Sequence, residues 1–445
     1  MTANEAPLPT ELTRRSLLRG AGAGAVLLGG GGVLSACSSN LKGDKSSSAK
    51  SGSGSDTIKI GYVSPQTGPL ASFALADSFV VAQAREALAK GVKSGGKTRK
   101  FEIIVKDTQS DPVRAASVAR DLINKDKVDL VVASGTPDTS NPVSDQCEAN
   151  GMPNCTTIVP WEAWFFGRGK KQGESFKYST MFFFGMKEFT DLFIGMWSKV
   201  GHAGKTVACL WPNDVDANAF RAGFKDPMAA GGYKAIAPNG YQDGISDFSA
   251  QISTFKKANA ELFTCTPIPP DFNTFWKQAA QQGYKPRLAT VAKVMLFPSE
   301  AEALGTLSNN IATDLWWSPF HPYKSSLTGD TAKQLSDKFT ASTGKQWTQA
   351  LGSVYSLFEI AAEVMRAVDD PHDHQAVAAG LNKLSYEGMS GPLDFAAGPE
   401  PGIAMQKIVG GQWRPGTKFP WDIVIVDNST FSSVPVGGDL KPTNA

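Results

Sequence analysis

Three stretches of the chain have residue types and spacing that could do covalent or phosphate chemistry. Gly91 to Thr98 reads GVKSGGKT, the letters of a phosphate-binding P-loop. Such a loop works by following a strand and opening a helix whose first amides cradle phosphate. Here a helical pattern ends near Lys90 and a strand pattern begins at Phe101, so a helix-to-strand turn is expected. Ser253-Thr254-Phe255-Lys256 has the SxxK spacing of an acyl-transfer serine, but it lies inside an amphipathic run without an SDN or KTG companion. His372-Asp373-His374 could ligate a metal; after Asp369-Asp370-Pro371 and before an alanine-rich run it reads better as a solvated turn with a helix cap. The chain has 4 histidines, no GxSxG and no HExxH. No catalytic residue, metal site or cofactor is therefore expected.

Other residues suit binding without reaction. Residues 160 to 171 read PWEAWFFGRGKK, which sets two tryptophans and two phenylalanines in a segment too short and glycine-rich for a core helix. Trp161 and Trp164 could stack on a ring or cover an apolar ligand. A packing patch or a protein contact is the competing reading, and it fits Phe165 and Phe166 better. Arg168, Lys170 and Lys171 are expected to form a solvated loop, with a basic rim as the alternative.

The elements that must position these residues begin after an export signal. Thr13-Arg14-Arg15-Ser16-Leu17-Leu18 is a twin-arginine pattern, followed by a glycine-rich run and by Leu34-Ser35-Ala36-Cys37, the letters of a bacterial lipobox. Residues 1–36 are expected to be removed and Cys37 to carry lipid. A membrane-spanning helix would need about 20 strongly apolar residues, and this stretch is short and mostly Gly and Ala. Residues 37–55 are rich in Ser, Gly and Lys and cannot bury a core. They are expected to be a tether of about 23 Å.

The rest is long enough for two domains. Lys and Arg number 44 against 42 Asp and Glu, a balance that gives no support for a nucleic-acid partner. Cys147, Cys155, Cys209 and Cys265 remain after the signal; outside the cytoplasm an even number invites pairing. Spacing does not say which would pair, and buried free thiols are the alternative.

Strand patterns at Ile58 to Val63, FEIIVKD and DLVVAS alternate with helical patterns at Phe73 to Lys90, Pro112 to Lys125 and Ser144 to Asn150. The alternation resumes with KTVACLWP, YKAIAP, ELFTCTP and PRLATVA, separated by helices. Two such runs predict an α/β fold of two open parallel-sheet, Rossmann-like lobes with helices on both faces. Ligands in such sheets lie beyond the carboxyl ends of the strands. IATDLWWSPFHPY and a helix at Val354 to Val368 read as a return into the first lobe, and GPLDFAAG to VIVDN as a further crossing. The expected division is 56–182 with 317–392 for lobe 1, 183–316 with 393–434 for lobe 2, and a tail at 435–445, joined by three crossovers that make a hinge.

GYVSPQTGPLASF at 61–73, DLVVASGTPDTSNPVSDQCEANGMPNCTTIVP at 129–160 and DFSAQISTFKKANAELF at 247–263 resemble the branched-chain amino acid binding family of ABC importers, the type I periplasmic binding proteins. The resemblance runs from about Asp56 to Asn428. It implies a monomeric solute-binding lipoprotein at the outer face of the cytoplasmic membrane or in the periplasm, handing a small solute to an ABC permease and its ATPase. It further implies that Phe73 walls the cleft and that Gly135, Thr136 and Thr139 hold a ligand carboxylate. Val159, Pro160 and Trp161 would lie at the next loop. Across the cleft it places Asn213, Asp214 and Asp216 after one strand and Lys293 after a later one.

Amino-acid binders of this family carry a carboxylate near Ala292 or Lys293 for the ligand's ammonium. A lysine there would repel that group, so an aromatic or bulky apolar carboxylate is the expected solute. A branched-chain or other amino acid or amide is the alternative. A sensor module with the same fold is a rival, and a hydrolase would need a catalytic set that the sequence lacks.

Overall fold

The computed structural model of the protein describes residues 56–201 and 204–443. The expected signal, the lipidated Cys37 and the tether lie outside the described residues. The first sheet runs β14-β6-β5-β4-β1-β3-β2. Its strands are β1 (Thr57–Ser64), β2 (Val92–Ser94), β3 (Lys97–Asp107), β4 (Leu130–Ser134), β5 (Asn154–Thr157), β6 (Ser179–Phe183) and β14 (Ile403–Met405). The second runs β16-β15-β11-β10-β9-β7-β8. It comprises β7 (Thr206–Leu210), β8 (Lys234–Ile236), β9 (Leu262–Cys265), β10 (Leu288–Val291), β11 (Ala312–Leu315), β15 (Val409–Pro415) and β16 (Trp421–Asp427). A separate hairpin joins β12 (Ser385–Gly388) to β13 (Gly391–Asp394).

Pairing is parallel through both sheet centres; β2, β15 and β16 add antiparallel edges. The central strands β4, β5, β9 and β10 are buried at every residue, as parallel strands covered on both faces must be. Helices α1 (Asp77–Ala87), α2 (Pro112–Asp121), α3 (Pro137–Ala149) and α4 (Trp161–Phe165) follow strands of the first sheet. Helices α5 (Met186–Lys199), α6 (Val215–Ala230), α7 (Ser249–Lys257), α8 (Pro269–Gln281) and α9 (Pro298–Leu304) belong with the second. After α10 (Ala332–Thr343), helix α11 (Ala350–Ala367) is buried nearly all round and packs on α1, β4 and β5. α12 (His374–Lys383) covers its outer side.

The chain thus passes between the lobes three times: after β6, after β11 and after β14. The last passage differs from the expected boundary at 393, because β14 hydrogen-bonds in parallel to β6 and the second sheet resumes only at Val409. The tail packs on the second sheet, where Lys441 N–H donates to Gln412 Oε1 at 2.9 Å and Ala289 N–H to Thr443 Oγ1 at 2.9 Å. The P-loop letters form the β2–β3 hairpin instead of a helix-to-strand turn, with Gly95 and Gly96 at positive φ in the turn. SxxK lies within α7. Asp373 caps α12 by accepting from Gln375 and Ala376 N–H. The four thiols Cys147, Cys155, Cys209 and Cys265 are buried and free.

Candidate functional site

The carboxyl ends of the two sheets face one another and their loops enclose a small cavity. From the first lobe it is lined by Phe73, Thr136, Ile158, Pro160 and Phe183; from the second by Phe189, Asp216, Phe220, Ala292, Lys293, Leu296, Asp314 and Trp316. Thr136, Ile158, Pro160, Ala292, Lys293 and Trp316 lie within three residues of a strand's carboxyl end, where such sheets place their ligand-binding loops. The lobes also touch beside it: Phe73 meets Phe297 with ring centroids 4.8 Å apart, and Ser72 Oγ donates to Glu300 Oε1 at 2.7 Å. The enclosed space is about 30 Å³, enough for one or two waters and far below the ~300–1,000 Å³ of small-molecule sites. In this arrangement the lobes meet over the cavity and leave no room for a solute of that size.

Local sequence explains how the polar residues reach the cavity. Thr136 is the N-cap position of α3, with Pro137 at the first turn, where a missing N–H costs nothing. Its Oγ1 is buried and has no partner. Asp214 caps α6 by accepting from Ala217 N–H at 2.6 Å, which sets Asp216 in the first turn beside Lys293. Lys293 Nζ lies 3.1 Å from Asp214 Oδ2 and 3.4 Å from Asp216 Oδ2, while Asp216 Oδ1 is buried without a partner. Trp316 Nε1 is likewise buried and unpartnered. Two residues hold left-handed backbone, Ile158 at φ 63° and Lys293 at φ 67°. For a β-branched residue this is strained, and such strain persists where the surroundings fix it.

The cavity is acidic on balance. Burial pushes the Asp314 carboxyl up to about 7, and the charge of Asp216 adds to the rise. Asp216 is raised by burial to about 6, with Lys293 pulling it back and Asp214 and Asp138 pushing further. Burial raises Asp138, on α3 of the first lobe, against the pull of Lys293. Burial alone would lower Lys293; the carboxylates of Asp214, Asp216 and Asp138 outweigh it and hold the ammonium above the usual lysine range. The ammonium of Lys293 is thus paired within its own lobe, with Asp214 and Asp216.

Of the ten binding residues read from sequence, Phe73, Thr136, Pro160, Asp216 and Lys293 line the cavity. The others are placed differently. Gly135 holds φ 141° behind Thr136, where a Cβ would crowd Thr139 Oγ1 and Pro65. Thr139 is buried and its hydroxyl donates back to Thr136 O at 3.4 Å. Val159 lies in the core. Trp161 packs against Gly185 at the first passage between lobes, with Phe166 at 5.4 Å. Trp164 points away from the cleft: it is 1% exposed and its Nε1 donates to Ser144 Oγ at 3.2 Å. Arg168 is not solvated either; its guanidinium stacks 3.8 Å from the Phe176 ring and pairs with Asp145 at 2.7 Å. Sequence reasoning missed Ile158, Phe183, Asp314 and Trp316.

A family model described as periplasmic binding protein matches residues 57–418. The chain belongs to the periplasmic binding protein family. A leucine-, isoleucine-, valine-, threonine- and alanine-binding protein of Pseudomonas aeruginosa is 27% identical over 233 residues, which are 52% of this chain and 59% of that relative. The matched part is thus less than two thirds of that protein's length. A leucine binding protein from Thermotoga maritima superposes with a TM-score of 0.70 at 18% identity, covering 84% of this chain and 99% of that one. A solute binding protein of an ABC transporter from Rhodopseudomonas palustris, solved with 3,4-dihydroxybenzoic acid, gives 0.63 at 17% identity over 87% and 98%. These solved periplasmic binding proteins share the two-lobed α/β architecture. Among the described residues of this family member, no helix is long and apolar enough to cross a membrane.

Proposed function

We propose that the protein is the substrate-binding component of an ABC importer and that its solute is an amino acid with a bulky apolar side chain. One observation carries the reading: three residues that line the cavity each hold a buried polar atom without a partner, the hydroxyl Thr136 Oγ1, the donor Trp316 Nε1 and the acceptor Asp216 Oδ1. An orphaned buried group costs about 1–3 kcal/mol, and a zwitterion satisfies donors with its carboxylate and the acceptor with its ammonium. The N-terminus of α3 adds favourable dipole for the carboxylate. Asp314 adds a second negative group for the ammonium. Phe183, Phe189, Phe220 and Leu296 supply the apolar wall. Lobe opening and closing on the solute requires no covalent step. Cys37 would carry the lipid that keeps the protein beside its permease.

The aromatic wall also favours a second reading, an aromatic or bulky apolar acid without an amine. Calorimetry of the protein from Asp56 onward with leucine, phenylalanine and their deaminated acids separates the two. The amino acids are expected to bind about 100-fold more tightly, because an acid leaves Asp216 and Asp314 unmatched. Equal or tighter binding of the deaminated acids would overturn the amino-acid reading.

A further inference from the structure

Lys293 occupies a position where a lysine is costly. Its backbone is left-handed, which a glycine or asparagine would adopt with less strain, and its side chain is 4% exposed. The ammonium sits between Asp214 and Asp216 of the same lobe, and its charge is felt by Asp138 of the first lobe and by Asp243 and Asp271. Asp314 stands on the same cavity wall. One ammonium cannot satisfy this set: Asp216, 4% exposed, keeps an oxygen with no partner facing the cavity, and Thr136, 2% exposed, presents an unpartnered hydroxyl from the opposite lobe. The cleft therefore holds one built-in positive charge and room in its charge balance for another.

We propose that Lys293 is a specificity-determining counter-ion that fixes at one the number of cationic groups the solute brings. With Lys293 present, Asp214 and Asp216 are already engaged and a second solute cation placed beside them faces a buried ammonium, so diamines are excluded. Without it, Asp214 and Asp216 accept an external ammonium in its place. The inference rests on the reading that the solute is held through an ammonium, and it names what limits that site to monocations.

The test uses Lys293→Met, which keeps the length and apolar stem of the side chain and removes its charge, and Lys293→Arg, which keeps the charge. Calorimetry compares leucine, 4-methylpentanoate and 1,4-diaminobutane on all three proteins. Wild type and Lys293→Arg are expected to prefer leucine and ignore the diamine; Lys293→Met is expected to gain roughly tenfold or more in diamine affinity. If Lys293→Met is too unstable to isolate folded, its melting is followed in methylammonium chloride against sodium chloride at equal ionic strength. Selective rescue by methylammonium supports the replacement of the lost charge. A diamine affinity equal to that of wild type, or no selective rescue, overturns the inference. Preference of the wild type for 4-methylpentanoate would instead defeat the amino-acid reading, whatever the variants do.

Discussion

Phe73 of the first lobe and Phe297 of the second meet edge to face across the cleft, with ring centroids 4.8 Å apart. The neighbouring Ser72 donates to Glu300, whose other oxygen accepts from Asn273 Nδ2 at 3.0 Å. Closure is thus joined at one short loop on one side and at the start of α9 on the other. Phe73→Ala removes a ring pair worth about 0.5–1.5 kcal/mol beyond its burial, and that energy exists only when the lobes are shut. The variant is expected to fold with a near-normal melting temperature, bind solute about tenfold more weakly, and scatter X-rays as a more open particle. A weakened affinity without a shift toward the open form would mean that Phe73 acts as a solute contact alone.

Asp314 is expected to make binding depend on pH. Burial raises its folded pKa to about 7 from an ordinary 3.8, so its contribution to stability is fully present below about pH 4 and is lost as pH rises through about 7. Asp314→Asn is expected to flatten the decline in melting temperature over that window. A solute ammonium favours the ionised carboxylate, so binding near pH 7 releases a proton and affinity falls as pH drops. Calorimetry in two buffers of different ionisation enthalpy reads the proton directly, and Asp314→Asn should abolish most of it. Proton uptake on binding would contradict the placement of the ammonium beside Asp314.

The pattern of alternating strands made the two lobes readable, since Ile58 to Val63 and DLVVAS carry the apolar runs that parallel strands need. The resemblance to the binding family then placed Thr136, Pro160 and Asp216 in loops that follow strands. The start of α3 was not read: a helix was expected only from Ser144, beyond Pro137 and Pro142. In the fold Pro137 is a first-turn residue and Pro142 forgoes one intrahelical bond. Nothing in an isoleucine announces positive φ, so Ile158 gave no signal. Asp314 was concealed within a strand read only as a return path, and Trp164 was misplaced because a short helix turns its fourth residue toward α3.

Trp164 separates stability from binding. It is fully enclosed, donates to Ser144, meets Phe176 edge to face at 4.9 Å and carries the Arg168 guanidinium 4.6 Å from its ring centre. Trp164→Ala is expected to cost about 3–5 kcal/mol in denaturant unfolding, because it opens a cavity and removes one of the two rings that cover the buried arginine. Solute affinity of the folded fraction should stay within a few-fold of wild type. A loss of affinity with unchanged stability would return Trp164 to the cleft.

Gly185 and Trp161 test the first passage between the lobes. Trp161 N–H donates to Phe184 O at 3.2 Å, and Glu162 Oε1 accepts from Met186 N–H at 2.9 Å, so α4 grips the chain on both sides of Gly185. A Cβ at Gly185 would fall inside contact distance of the Trp161 indole and the Glu162 carboxylate. The indole is flanked by Phe165 and Phe166 and the carboxylate is tied through Oε1 to Met186 N–H, and overpacking of this kind costs about 1–3 kcal/mol. Gly185→Ala is therefore expected to lower the melting temperature and to change solute affinity as the passage shifts. Trp161→Ala frees the space, so the double variant should be more stable than the sum of the two single effects, a coupling that a double-mutant cycle measures. Strict additivity would show that the indole yields without strain and that the passage is not fixed by this contact.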